Sequence, residues 1–168
     1  MLVPAAAFSD YITAVHIIAV IVGFGAVFVY PLLFAAAART DPGVTPWLLR
    51  SRRRVGRYLV NPGLLVVVLA GIYLAADEHY WSSFFVQWGI AAAIVIGAIE
   101  GSMIIPRAGR LAVLAERDLA AAAVPAGGTR ASATWSDEYT SGYRLFSLAG
   151  IVLQVIVVIT VVLMAIDA

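Results

Sequence analysis

Two ionisable side chains, His16 and Glu100, stand inside otherwise uncharged apolar stretches of this 168-residue chain, and they are the first candidates for chemistry. An imidazole in such a setting, with an ordinary pKa of about 6.5, can ligate haem or a metal or relay protons. A neutral histidine hydrogen-bonded to a neighbouring helix is the structural alternative. Glu100, the sole acid within a span, can bind a cation or carry a proton. Its structural alternative is an ion pair with Arg57, Arg107 or Arg144 at the inner boundary of the membrane, a snorkelling geometry that costs less than burial at mid-depth. Met164 and His79 could supply a second axial ligand opposite His16. Read alone, Met164 is a lipid-facing thioether and His79 a solvated loop histidine before either is a ligand. His16 and Glu100 fall at opposite depths, so they do not form one metal site.

The elements that must position these residues are membrane helices. The hydrophobic share of 62% and charged share of 12% lie far from the soluble norm of roughly 45–50% and about 25%. Four apolar spans, about residues 10–38, 58–76, 83–105 and 144–166, are each long enough to cross a bilayer core, which needs about 20 residues in helical form. The expected fold is all-α, a polytopic membrane protein forming a single domain of four antiparallel transmembrane helices over residues 1–168. The short connections favour an up-down-up-down bundle. The first span has no basic n-region and is longer than a signal-peptide core, so it reads as a retained helix. Ser9 is its expected N-cap, and Pro31 demands a kink, a tilt or an overhang. The third helix is expected to run on through Arg110 and Arg117 to about Val124 and to break at Pro125-Ala-Gly-Gly. Thr134 and Asp137 have capping-box spacing for the fourth.

All eleven basic residues are arginine, and their distribution sets the orientation. Six lie between Arg39 and Arg57, in a connection carrying Asp-Pro-Gly and Thr-Pro turn signals. None lies in the loop from Asp77 to Ser82, and Arg107, Arg110, Arg117, Arg130 and Arg144 lie in or beside the last connection. By the positive-inside rule both basic connections are cytoplasmic and both termini outside, which places the protein in the cell membrane as a multi-pass chain. The cluster Arg50, Arg52, Arg53, Arg54 and Arg57 reads as lipid-facing and suited to anionic headgroups, although positive-inside topology alone would account for it.

Gly89, Ala93, Gly97 and Gly101 recur every four residues, and Gly97 and Gly101 have the spacing of a close helix contact. That contact lies either within one bundle or between copies of the chain. Glu100 beside this stripe should face protein. Gln87, Gln154 and Asn61 need polar partners in an apolar medium, and interhelical hydrogen bonds would supply them. The absence of lysine removes Schiff-base chemistry. The absence of cysteine removes disulfides, thiolate metal sites and covalently attached haem. The chain carries no Walker loop, dinucleotide fingerprint or HExxH motif, and no aromatic platform for nucleic acid accompanies the arginines.

The stretch Val15-His16-Ile17-Ile18-Ala19-Val20, then Gly23 to Gly25 and Tyr30-Pro31-Leu32-Leu33-Phe34, resembles the first helix of a bacterial superfamily. That superfamily contains haem-dependent membrane protoporphyrinogen oxidases and the membrane domain of copper-resistance protein D. Asn61-Pro62 and Tyr143-Arg144-Leu145-Phe146 extend the likeness along the chain. Within the superfamily it is most similar to small predicted integral membrane proteins without an assigned role. The resemblance implies haem b with His16 as axial ligand. It departs from the oxidases at Ala91 to Ala93, where they carry polar or basic groups, so protoporphyrinogen oxidation does not carry over. Three roles follow as expectations: a b-type haem or redox-associated protein, a small cation or proton transporter or channel using Glu100, or a non-catalytic subunit of a larger membrane complex. The lipid bilayer is the expected partner in each, with a homo-oligomer or a larger complex beside it.

Overall fold

The computed structural model describes residues 8–122 and 134–167. The expected break at Pro125 to Gly128, and Arg130, lie outside them. Among the described residues every regular element is helical: α1 (Phe8–Thr40), α2 (Thr45–Val55), α3 (Asn61–Asp77), α4 (Phe84–Ile99), α5 (Ile105–Ala122) and α6 (Asp137–Asp167). A wide π turn at Gly56–Val60 joins α2 to α3 without a break, and another at Glu100–Ile104 joins α4 to α5. Four continuous rods result, each long and apolar enough to cross a membrane. They pack as a square bundle in which α1 lies against α3, α4 against α6, and the two pairs meet through α3–α4 and α1–α6.

Two of the rods overshoot the membrane at the arginine-rich end. Phe84–Ala122 has 39 residues, about 58 Å of helix against roughly 30 Å of hydrocarbon. The excess is α5, which pairs with α2 outside the apolar zone. This corrects one expectation: the basic run before Tyr58 is helix, not loop. Its pattern explains why. Arg52 follows Leu49 by three residues and Leu48 by four, so the three share one face and are buried, the two leucines against Ala108, Leu111, Ala112 and Ala115 of α5, while Arg50, Arg53, Arg54 and Arg57 are exposed. The true connection is only Asp41–Val44, where the Asp41 carboxylate accepts from the Gly43 amide at 2.9 Å and starts a 3₁₀ turn.

The ends of the rods differ in detail from expectation. Ser9 lies inside α1 rather than at its cap, and its carbonyl accepts from the Thr13 hydroxyl. Ser136, not Thr134, caps α6. Its hydroxyl accepts from the Tyr139 amide at 3.3 Å, and the Asp118 carboxylate accepts from both the hydroxyl and the amide of Ser136, at 2.8 and 2.9 Å. A carboxylate from α5 therefore anchors the start of α6. At the opposite end His79 takes a left-handed backbone, φ 60°, to close the turn after α3. Histidine tolerates this conformation better than branched residues do.

Pro31 interrupts the hydrogen-bond ladder of α1 without ending the helix. Proline has no N–H, so the carbonyl four residues earlier, that of Val27, loses its partner. Gln154 of α6 supplies the replacement, its Nε2 donating to the Val27 carbonyl at 3.0 Å. The close backbone contact of the bundle is at Gly23 and Gly63. A methyl built on Gly63 would lie 2.9 Å from the Gly23 Cα, so α1 and α3 meet there with no room for a side chain. Within this chain Gly97 packs on a side chain rather than a backbone, a methyl there meeting Leu64 at 3.3 Å, and a methyl on Gly101 would have nothing within 4 Å.

Candidate functional site

The two wide turns face each other, and the reason for each lies in the sequence two residues beyond it. The first ends two residues before Pro62 and the second two residues before Pro106. A proline ring collides with the carbonyl of residue i−4, and widening the preceding turn relieves the clash. The amide just ahead of each proline then bonds five residues back: Asn61 to the Gly56 carbonyl and Ile105 to the Glu100 carbonyl. Both turns begin with a residue of the site, Gly56 in one rod and Glu100 in the other. Wide turns of this kind recur where helices carry function.

Glu100 is 0% exposed and Arg52 is 4% exposed. Arg52 Nη2 donates to Glu100 Oε1, joining two rods through residues 48 positions apart. Gly56 makes the space. A methyl there would lie 3.1 Å from Arg52 Nη1, 3.1 Å from Glu100 Oε2 and 3.0 Å from Ile105 Cγ1. The Tyr30 ring lies under the guanidinium, 5.7 Å from its carbon to the ring centre, and the Tyr30 hydroxyl is held at 2.8 Å from Ser51 Oγ. Tyr30 heads a run of packed rings that continues through Phe34, Phe146 and Tyr143 to Tyr139 and Trp135. Val60, Ile104 and Leu153, all but inaccessible, are among the buried residues of the same cores.

The pairing is one-sided. Among the described residues, Arg52 Nη1 and Glu100 Oε2 are buried without a hydrogen-bond partner, and so is Asn61 Oδ1 at the end of the first wide turn. Burying a charge or a polar atom without full pairing costs free energy, so such atoms are where a proton, a cation or a water would act. The partner of Glu100 is thus Arg52, not Arg57, Arg107 or Arg144. Arg52 also leaves the lipid-facing cluster, because it points into the bundle. Sequence reasoning missed this role, although two signals were present: Arg52 follows Leu48 and Leu49 on one helix face, and the spacing from Gly56 to Pro62 repeats from Glu100 to Pro106.

The remaining candidates are dispersed. His16 is half-buried on α1 against α3, its ring filling the space beside Gly71, and its Nδ1 has no hydrogen-bond partner among the described residues. It stands 14 residues from Tyr30 along α1, about 21 Å from the level of the ion pair. Met164 packs on Gly89, in the contact between α6 and α4, and His79 is exposed in the turn after α3. Nothing in the packing brings either to His16. The described residues contain no group of three or more histidine and carboxylate side chains that could hold a metal ion. His16 is thus a single candidate donor, its ring lying against α3 at Gly71, with neither Met164 nor His79 beside it. Gln87 is exposed, and Trp88 Nε1 donates to Thr160 Oγ1 at 3.0 Å, tying α4 to α6 in the far half of the bundle.

Residues 10–167, nearly the whole chain, match the family described as Predicted integral membrane protein (DUF2269). The chain belongs to that family. The match agrees with the four membrane-length helices and makes contact with the lipid bilayer a property of the fold. It extends to the DUF2269 family and not to the wider superfamily of copper-resistance protein D and the haem-dependent oxidases. No curated protein and no solved structure matches the chain.

Proposed function

We propose that this DUF2269 protein is a small proton- or cation-handling membrane protein whose working centre is the Arg52–Glu100 pair, with the arginine-rich end in the cytoplasm. The observation that carries this reading is a fully buried carboxylate matched on one oxygen only, at the junction of two facing wide turns. An ionisable group inside a membrane bundle is expensive to keep, and its retention points to use. Protonation of Glu100 would remove the charge that holds Arg52, and the two rods would then lose their ionic tie where both are already widened. Entry of a small cation at Oε2 would act on the same tie. The orientation rests on the arginine distribution.

The test is flux in proteoliposomes containing the purified protein and a trapped pH-sensitive dye, under an imposed potential. Proton or cation movement that Glu100→Gln abolishes and Glu100→Asp partly retains supports the reading. Wild-type vesicles no leakier than empty ones would overturn it.

A redox role with haem b held by His16, in line with the wider superfamily likeness, is the competing reading. Its specific support is the buried, unpartnered Nδ1 within the first span. A Soret band in the dithionite-reduced protein that disappears in His16→Ala would favour it over flux. Protein purified after growth with ample haem and showing no such band would eliminate it.

A further inference from the structure

The outer face of α2 holds arginines that the ion-pair centre does not use. Arg50, Arg53, Arg54 and Arg57 fall at i, i+3, i+4 and i+7, so one helix face presents four guanidinium groups. Together with Tyr58 they line an open groove of about 360 Å³. Arg50 is engaged, its Nη2 2.6 Å from both carboxylate oxygens of Glu116. Arg53, Arg54 and Arg57 have no carboxylate within 4.0 Å among the described residues. Positive-inside topology asks only that charge lie on one side. It does not require that three unpaired cations converge on a groove.

The groove is held in place. Its floor helix is locked to α5 by Leu48 and Leu49, and Arg53 lies flat across Gly109 of α5, where a methyl would come within 3.0 Å of its Nη1 and 3.3 Å of its Cδ. Because α2 runs unbroken into α3, Arg57 sits at the entry to the apolar span. Tyr58, 72% exposed, lies beside it on the same rod. Aromatic side chains of this kind settle among lipid headgroups. Guanidinium groups bind phosphate oxygens through paired N–H donors and carry no acceptor that would repel them.

We infer that this groove binds the phosphate of an anionic phospholipid headgroup. The occupant is a lipid rather than a free phosphate because the groove opens at the rim of the span, where the acyl chains of a bound lipid continue along the exposed apolar face of α3, including Leu65, Val66 and Leu69. Screening by salt weakens the contact, since the groove is open to water.

The experiment titrates the intact protein, purified in a neutral detergent, with dioctanoyl phosphatidylglycerol, dioctanoyl phosphatidylcholine or inorganic phosphate, and follows tryptophan emission and thermal stability. A basic residue near a lipid surface strengthens binding about fivefold, the equivalent of about 1 kcal/mol. Arg53→Gln/Arg57→Gln should therefore weaken phosphatidylglycerol binding about 25- to 30-fold, with phosphatidylcholine weak throughout. Both side chains are exposed and unpaired, so circular dichroism and a single elution peak should confirm that the variant folds. Arg39→Gln/Arg144→Gln removes the same charge from exposed positions outside the groove and should cost threefold or less. An equal loss in both variants would reduce the effect to net charge and overturn the site. Unchanged binding in the groove variant would do the same, and inorganic phosphate as potent as the lipid would overturn the lipid as occupant.

Discussion

Replacing Arg52 with methionine removes the cation from a carboxylate that has no access to water. Glu100 is 0% exposed and its partner 4%, so solvent screening does not reduce the interaction as it does for surface pairs. Breaking a buried pair from one side typically costs about 3–5 kcal/mol, because a charge is left uncompensated. Within that figure lies the contact of the guanidinium with the Tyr30 face, a type of interaction worth about 0.5–2 kcal/mol. Arg52→Met should therefore destabilise the bundle by about 3–5 kcal/mol. Arg52→Met/Glu100→Leu, which removes both charges and keeps apolar volume, should recover most of it, since apolar replacements of buried pairs are often neutral or better. The assay is reversible unfolding in mixed micelles with increasing dodecyl sulfate, read by circular dichroism and tryptophan emission, for both single variants and the double. Strict additivity would refute the reasoning, because residues in direct contact must show a coupling term. So would a single variant within 0.5 kcal/mol of the wild type, the range of an ordinary surface change.

Three further outcomes follow from the packing. Gly63→Val should destabilise by about 1–3 kcal/mol through overpacking against the Gly23 backbone, while Gly101→Ala, with open space around it, should be near neutral in the same assay. Gln154→Leu should cost about 1 kcal/mol by orphaning the Val27 carbonyl, and adding Pro31→Ala should restore stability, because the new amide at position 31 can bond that carbonyl. Asp118→Ala should weaken the start of α6 by about 0.5–2 kcal/mol, seen as faster hydrogen exchange over residues 136–141 than in the rest of α6.

Residue by residue, legibility followed the range of the forces involved. The burial of Glu100 beside its glycine-rich stripe and the continuation of the third helix through Arg110 and Arg117 were readable, since both depend on neighbours in the chain. Helix α2 was not, because Asp-Pro-Gly and Thr-Pro signal a turn while the stability of the helix comes from the face of α5 against Leu48 and Leu49. Gly97 and Gly101 have the spacing of a close contact, within one bundle or between copies. Spacing shows that a helix has a smooth face, but it does not show which smooth face meets another backbone, and the bundle uses Gly23 and Gly63.

The amino-acid sequence by itself determined that this chain crosses a membrane as four helices with its arginines gathered at one end. In lipid every backbone amide must be satisfied within its own segment, so an apolar run of sufficient length has one outcome. Only the tertiary structure decided that Glu100 is held by Arg52, that Gln154 completes the ladder broken by Pro31, and that three arginines with no carboxylate partner among the described residues converge on a groove. Each of these depends on the rotation and register of one rod against another. Those are set by packing among helices far apart in the chain, which no local pattern specifies.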